Sequence, residues 1–229
     1  MKRLIAVLFV CAAGGAFASG GKGLPADLVT GQWEQMTFDG KQPNDYASCG
    51  QDCVAVSSDK SVSLIGRPAA TDLRQSPVLT WEWKIARPVP VSDLTRKGGD
   101  DRPLAIYVTF PYEPETATIT ESLMRPLVEM ARGADAPART ISYVWGGYGS
   151  PGDVVNSPYF GDVNVMVIAR NQSAPIGEWL RETVDVAADH ERIFGVRPAR
   201  AAHVLIGADT DDIGRPNEGF VRGLMFQAK

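Results

Sequence analysis

Residues 78–110 constrain the fold of this chain more than any other stretch. The first part, VLTWEWKIAR, places Leu79, Trp81, Trp83 and Ile85 at every second position. This alternation is typical of a β-strand with one buried face. The last part, LAIYVTF, is a nearly continuous apolar run rich in strand-forming residues, which indicates a strand covered on both faces. We predict that the two strands pair as a hairpin at the centre of the core.

Similar short patterns recur along the chain between Gly- and Pro-containing turns. They predict about ten strands, at 32–38, 54–56, 61–65, 78–85, 104–110, 140–145, 163–169, 182–186, 203–208 and 220–226. The pair at 54–56 and 61–65 surrounds a Ser-Ser-Asp-Lys turn, which is a hairpin signal. Many short strands of this kind indicate an all-β fold, an antiparallel β-sandwich or jelly roll.

Two segments interrupt the strand pattern with helical spacing. Around 118–133, Thr118 and Glu121 form a capping-box pattern, and apolar residues follow at helical intervals up to a break or restart expected at Pro126. We interpret this small helical insertion as covering a sheet edge with its apolar face; the alternative is a lid. A shorter helix, 187–194, is expected to end at Gly195.

The N-terminus has the pattern of a signal peptide. Lys2 and Arg3 precede a short apolar run, and Ala16-Phe17-Ala18 forms a small-x-small cleavage site. We expect residues 1–18 to be removed, leaving a mature chain that starts at Ser19 and is periplasmic or secreted. The apolar run is too short to span a bilayer, so we expect no integral membrane protein.

The remaining residues, 19–229, are predicted to form a single β-sandwich domain, since no linker or repeat divides them. The formal net charge of −4 gives no basic footprint and argues against nucleic acid as a partner. Cys49 and Cys53 are the only cysteines outside the leader. In an exported protein their spacing predicts a local disulfide, and without a second pair it does not favour zinc.

Acidic residues stand where predicted strands begin and end. Asp100 and Asp101 precede the strand at 104–110, and Asp209 and Asp211 follow the strand at 203–208. Strand ends can gather at one rim of a sandwich, so we predict one shared site containing a residue from each pair. Oxygen-only ligands suit Ca²⁺, which makes Asp209 and Asp211 candidate metal ligands. The alternatives are an acid/base pair and a solvated, salt-bridged turn.

Aromatic residues next to glycines give a second candidate surface. Trp145 and Tyr148 flank Gly146-Gly147. Exposed rings there would form a platform on which sugars stack, whereas buried rings would belong to the core. The glycines themselves match G-x-G-x-x-G, but Pro151 and Pro158 prevent the helix that a dinucleotide site requires.

Several motifs in order, WEWKI, GDD before YVTF, ISYVW, DHERIFG and ADTDDIG, resemble those of the exported bacterial domain-of-unknown-function family 3047. The resemblance covers nearly the whole mature chain. It implies one jelly-roll β-sandwich of the carbohydrate-binding-module kind, and it supplies no assigned activity to carry over. The positions that match the family are Asp100, Asp101, Trp145, Asp189, Phe194, Gly195, Asp209 and Asp211.

Three functions are compatible with these patterns. The first is a non-catalytic periplasmic module that binds a glycan or another envelope ligand through Asp100, Asp101, Trp145, Tyr148, Asp209 and Asp211, with Ca²⁺ as a candidate cofactor. The second is an envelope structural or interaction protein. The third is a carboxylate-dependent glycan hydrolase or lyase on the same fold.

Overall fold

The structure is a computed structural model that describes residues 23–87, 90–212 and 214–229. The predicted leader, with its cleavage site, lies outside the described residues. Twelve strands lie in the described part of the chain: β1 Glu34–Met36, β2 Asp45–Ser48, β3 Cys53–Ser58, β4 Val62–Asp72, β5 Val78–Arg87, β6 Arg102–Phe110, β7 Arg139–Trp145, β8 Val154–Ser157, β9 Gly161–Arg170, β10 Leu180–Asp185, β11 Arg200–Asp209 and β12 Asn217–Gln227. The helices are α1 Ala26–Thr30, α2 Ile119–Arg132 and α3 Val186–Phe194.

The strands form two sheets. One has seven strands in the order β1-β4-β11-β6-β7-β9-β8, and the other has five in the order β10-β5-β12-β3-β2. All neighbours are antiparallel except β7 and β9, which run parallel. The sheets share one apolar core, so the predicted all-β sandwich of jelly-roll type is confirmed.

Aromatic side chains fill the space between the sheets. Trp81 and Trp83 of β5 are fully buried, with ring centroids 5.4 Å apart. From the facing sheet, the Trp145 ring lies 5.4 Å from Trp83 and the Tyr143 ring lies 5.6 Å from Trp81. The predicted alternation of β5 is therefore confirmed, because Leu79, Trp81, Trp83 and Ile85 all belong to the core.

The two predicted hairpins are wrong. β5 belongs to the five-stranded sheet and β6 to the seven-stranded sheet, and the same separation holds for β3 and β4. In each case the chain crosses from one sheet to the other and does not turn back beside itself. The physical reason is that an alternating strand must cover its apolar face with a second sheet, which the next strand supplies. Turn residues alone do not distinguish a hairpin from such a crossing.

Helix α2 lies in the opposite orientation to the one expected. Ile119, Leu123 and Met130 are 89%, 75% and 81% exposed. The polar side faces the domain: both carboxylate oxygens of Glu121 accept hydrogen bonds of 2.7 Å from Arg139 on β7. The expectation that the apolar face covers a sheet edge is wrong, because the buried ion pair between Glu121 and Arg139 holds the helix from its polar side. The helix runs unbroken through Pro126.

Cys49 and Cys53 form the predicted disulfide, beside the start of β3. Gly195, in the left-handed conformation with φ 75°, ends α3 as expected. Within the described residues, no helix has the length and apolar character needed to cross a membrane.

Candidate binding cleft

The seven-stranded sheet has a second apolar face, directed away from the core. Strand register aligns Leu205 of β11, Tyr107 of β6, Ser142 of β7 and Met166 of β9 in one row across this face. Along each strand these residues alternate with core residues. One face of the sheet therefore covers the core, and the opposite face carries this row of side chains. This arrangement explains why β6 reads as a strand covered on both sides.

A cleft of about 380 Å³ opens on this outer face, and we call it the outer cleft. Its lining combines apolar or aromatic groups with hydroxyl, amide and charged groups. The lining residues are Met36, Phe38, Asp39, Lys41, Val62, Leu64, Asp100, Arg102, Tyr107, Thr140, Ser142, Ser157, Tyr159, Phe160, Asn164, Met166, Asp209, Asp211 and Asp212. A larger depression of about 1210 Å³, also bordered by Met36, occupies the other end of the same face.

Arg102, the first residue of β6, organises one rim of the outer cleft. Its Nη1 lies 3.1 Å from Asp100 Oδ2 and 3.6 Å from Asp209 Oδ2. Its Nε donates a 3.1 Å hydrogen bond to the Tyr107 hydroxyl. The structure therefore brings together one residue from each predicted acidic pair, across a register shift between β11 and β6.

Burial controls the ionisation of this rim. Burial is the largest cause of the raised pKa of Asp209, Arg102 opposes it, and the charges of Asp100, Asp101 and Asp212 add to it; the resulting pKa is about 7. Burial alone would lower the pKa of Arg102, but Tyr107 and the carboxylates of Asp209 and Asp100 outweigh it, so that pKa is raised. The guanidinium is therefore permanently charged, whereas Asp209 exchanges its proton near neutral pH.

A second acidic group lies beside the first. One carboxylate oxygen from each of Asp101, Asp211 and Asp212 lies within 4.8 Å of the others. Asp101 Oδ1 accepts a 3.2 Å hydrogen bond from the Asp212 backbone N–H, and Lys41 forms an ion pair with Asp211. Lys41 thus supplies positive charge to these carboxylates. Asp209 is not one of the three, and calcium binding by Asp209 and Asp211 stays a prediction.

The two aromatic candidates of the sequence have different positions. Trp145 is 2% exposed and packs in the core against Trp83, so its ring is not accessible to a surface ligand. The physical reason is strand alternation: Trp145, the last residue of β7, is two residues from Tyr143 and therefore points to the same, buried side. Tyr148 is 65% exposed, but it does not line the outer cleft.

The remaining family positions have structural roles. Asp189 accepts a 3.0 Å hydrogen bond from the Tyr143 hydroxyl and pairs with Arg192. Phe194 packs against the core, and Gly195 ends α3.

Sequence reasoning missed most of the cleft's floor. Tyr107 and Ser142 lie on the outer face of strands whose sequences predict burial on both faces. The alternation of apolar and polar residues therefore did not identify them as surface residues. Tyr159 follows β8, which was not predicted, and its 47% exposed ring is brought to the cleft by that hairpin. Knowledge that β6 pairs with both β11 and β7 would have identified these residues as part of one surface.

Among family models, one described as a protein of unknown function (DUF3047) matches residues 31–225. No curated protein matches the sequence. Similar solved structures include the xyloglucanase domain of NopAA, a type three effector from Sinorhizobium fredii, with 11% identity, a TM-score of 0.48, and coverage of 86% of this chain and 93% of that one. The family 11 carbohydrate-binding module from Clostridium thermocellum has 6% identity, a TM-score of 0.42, and coverage of 86% and 89%.

The endoglucanase Cel12A from Rhodothermus marinus has 10% identity, a TM-score of 0.44, and coverage of 87% of this chain and 94% of that one. At these identities and TM-scores, none of the similarities transfers a ligand or a reaction to this chain.

Proposed function

This chain belongs to the DUF3047 family of proteins of unknown function, and from that premise we propose that it is an exported, non-catalytic module that binds a glycan in the outer cleft. The composition of the cleft carries the proposal. Tyr107, Phe38 and Met166 give it an apolar floor, and carboxylate and hydroxyl groups stand beside that floor. Sugars need both, because their C–H faces pack on aromatic rings while their hydroxyls require hydrogen-bond partners.

The size of the face suits an extended ligand. A volume of about 380 Å³ is within the range of small-molecule sites. Met36 borders both this cleft and the larger depression, so the two adjoin along the sheet. A linear oligosaccharide could therefore continue from one into the other.

The arrangement of the carboxylates favours binding over hydrolysis. Asp100 and Asp209 both contact the same nitrogen of Arg102, at one rim of the cleft. A glycosidase requires two carboxyl groups that flank the scissile bond from opposite faces of the sugar. Two groups that converge on one guanidinium do not flank a substrate, and they hold the rim rigid instead.

Two tyrosines of similar exposure allow a matched test of this proposal. Tyr159 borders the outer cleft, whereas Tyr148 does not. We expect Tyr159→Ala to weaken oligosaccharide binding roughly tenfold, because a stacked aromatic ring contributes on the order of 1 kcal/mol beyond its buried area. Tyr159→Phe should retain binding, and Tyr148→Ala should bind like the wild type.

Isothermal titration calorimetry with neutral gluco-oligosaccharides, chitin oligomers, chitosan oligomers and oligogalacturonate provides the measurement. A loss of affinity in Tyr148→Ala with full affinity in Tyr159→Ala would place the ligand outside the cleft. If no member of the panel binds the wild type, the alternative of an envelope structural or interaction protein takes its place.

A further inference from the structure

The charges around the outer cleft are unequal. Its lining contains five aspartates but only two cationic residues, Lys41 and Arg102. Both cations are already committed: Lys41 pairs with Asp211, and Arg102 lies between Asp100 and Asp209. The aspartates of this lining outnumber its cations, and a net negative charge remains even when Lys97, beside the lining residue Tyr159, is included.

Two of the five aspartates carry that uncompensated charge. Asp39 and Asp212 are exposed, and neither carboxylate has an ion-pair partner within the part of the chain that the structure describes. Asp212 also lies beside the buried Asp101, which adds to the negative field at its oxygen atoms. An anionic ligand would be repelled here, and a cationic one attracted.

A hydroxyl that the fold does not use lies in the cleft. Thr140 lines it and is only 3% exposed, and none of the hydrogen bonds of the described residues involves its hydroxyl. The oxygen is not among the fully buried atoms without a partner, so it can be reached from the cleft and is free to hydrogen-bond a group that enters it. Ser142, its neighbour on the same face of β7, donates to the Val165 carbonyl at 3.3 Å and is satisfied internally.

The aromatic wall is suited to positive charge as well. Lys97 places its Nζ 5.5 Å from the centre of the Tyr159 ring. The π-face of Tyr159 therefore lies within reach of an ammonium group at the mouth of the cleft, and a cationic ligand would share this ring with Lys97. Carboxylates combined with an accessible aromatic face are the groups that recognise protonated amines in proteins.

Resting on the proposed function, we propose that the glycan carries free amino groups: the outer cleft prefers an oligosaccharide of amino sugars with protonated amines over its N-acetylated counterpart and over acidic glycans. Asp39 and Asp212 would receive the ammonium groups. Thr140 would hydrogen-bond a ring hydroxyl, and Tyr107 and Tyr159 would contact the sugar rings.

Calorimetric titration with chitosan and chitin oligomers of equal length tests this inference, because they differ only in acetylation of the amine. The intact chain with its disulfide is used, at a pH that keeps the amines protonated, with EDTA present. We expect the chitosan oligomer to bind roughly tenfold more tightly, since two exposed carboxylates each add the modest attraction of a surface ion pair. Added salt should reduce this ratio, and oligogalacturonate should bind most weakly.

Two variants assign the preference to named residues. The double substitution Asp39→Asn and Asp212→Asn should bring the ratio of the two affinities close to one. Equal binding of both oligomers by the wild type overturns the inference and leaves glycan binding intact. Binding of neither oligomer, nor of any neutral or acidic glycan, overturns both. A chitosan preference that persists in the double variant also overturns the assignment to this cleft.

Discussion

Arg102 is the residue on which the site depends. It stands at the start of β6 and contacts Asp100 from its own loop, Asp209 from β11 and the Tyr107 hydroxyl from the floor. Its Nη1 also donates a 2.8 Å hydrogen bond to the Asp100 carbonyl. One buried guanidinium therefore fixes the rim and the floor of the cleft relative to each other.

The ionisation of Asp209 predicts a pH dependence of stability. Its folded pKa is about 7, against an ordinary value of 3.8. Between these values the folded protein holds a proton that the unfolded chain has released, so stability falls as the pH rises from about 4 to about 7. We expect Asp209→Asn to lack this contribution, which amounts to at most about 4 kcal/mol.

Urea unfolding of wild type and Asp209→Asn across this pH range, with EDTA present, provides the measurement. The difference between their unfolding free energies isolates Asp209, because the other titrating groups are common to both proteins. Parallel curves for the two proteins would contradict the account and indicate that Asp209 is ionised in the folded state throughout.

The acidic rim of the outer cleft was predicted only in part from the sequence. Strand ends marked by acidic pairs predicted that one residue of each pair would meet, because strand ends in a sandwich gather at few places, but they did not identify Asp100 and Asp209 as the two. Arg102, which lies between them, follows Asp101 directly in the sequence, and its contact with Asp209 depends on the pairing of β6 with β11. Which face of β6 carries Tyr107 to the surface depends on the strands that pair with β6 and on the sheet that covers it. These are long-range contacts that local sequence patterns do not reveal.

At the scale of elements, α2 is the unusual feature. Its apolar side faces solvent while its polar side is bound to the sandwich. Glu121 and Arg139 have side chains that are only 10% and 8% exposed, so the pair is largely removed from water. Arg125 adds a 2.6 Å hydrogen bond to the Ala136 carbonyl. The helix is thus held by charge-assisted hydrogen bonds.

Two substitutions on α2 separate these contributions. Glu121→Ala leaves the Arg139 guanidinium buried without its partner, and we expect a loss of roughly 3 kcal/mol in the free energy of unfolding. Leu123→Gln, on the exposed side, should change that free energy by less than about 0.5 kcal/mol. Urea denaturation at neutral pH measures both. A larger loss for Leu123→Gln than for Glu121→Ala would mean that the apolar side is buried.

The orientation of α2 could not be predicted from the sequence, for a physical reason. Helical spacing and the capping box located the element, since both are local signals. Which side of an amphipathic helix is buried depends on its partner, and Arg139 is 18 residues from Glu121 in sequence. Sequence periodicity assumes that the apolar side is always the buried one.

At the scale of the whole molecule, the two sheets present different outer faces. The seven-stranded sheet carries the outer cleft. Aromatic rings also lie at the five-stranded sheet: Phe220 is on β12, and Trp179 directly precedes β10. Arg222 lies 4.0 Å from the centre of the Trp179 ring, and Lys84 lies 4.7 Å from that of Phe220. Both cations lie closer to their rings than the 5.5 Å between Lys97 and the Tyr159 ring, so these ring faces are more fully covered by the protein's own side chains. The fold class was predictable from strand count and spacing, whereas the allocation of β5 and β6 to opposite sheets was not.

The most direct test of the central claim is to map a bound glycan onto the two outer faces. Amide and side-chain chemical shifts of the folded protein are recorded by NMR as a binding oligosaccharide is added. The account predicts that the largest changes occur at Tyr107, Thr140 and Tyr159, on the outer face of the seven-stranded sheet. Changes concentrated at Trp179 and Phe220, or confined to Tyr148, would contradict it.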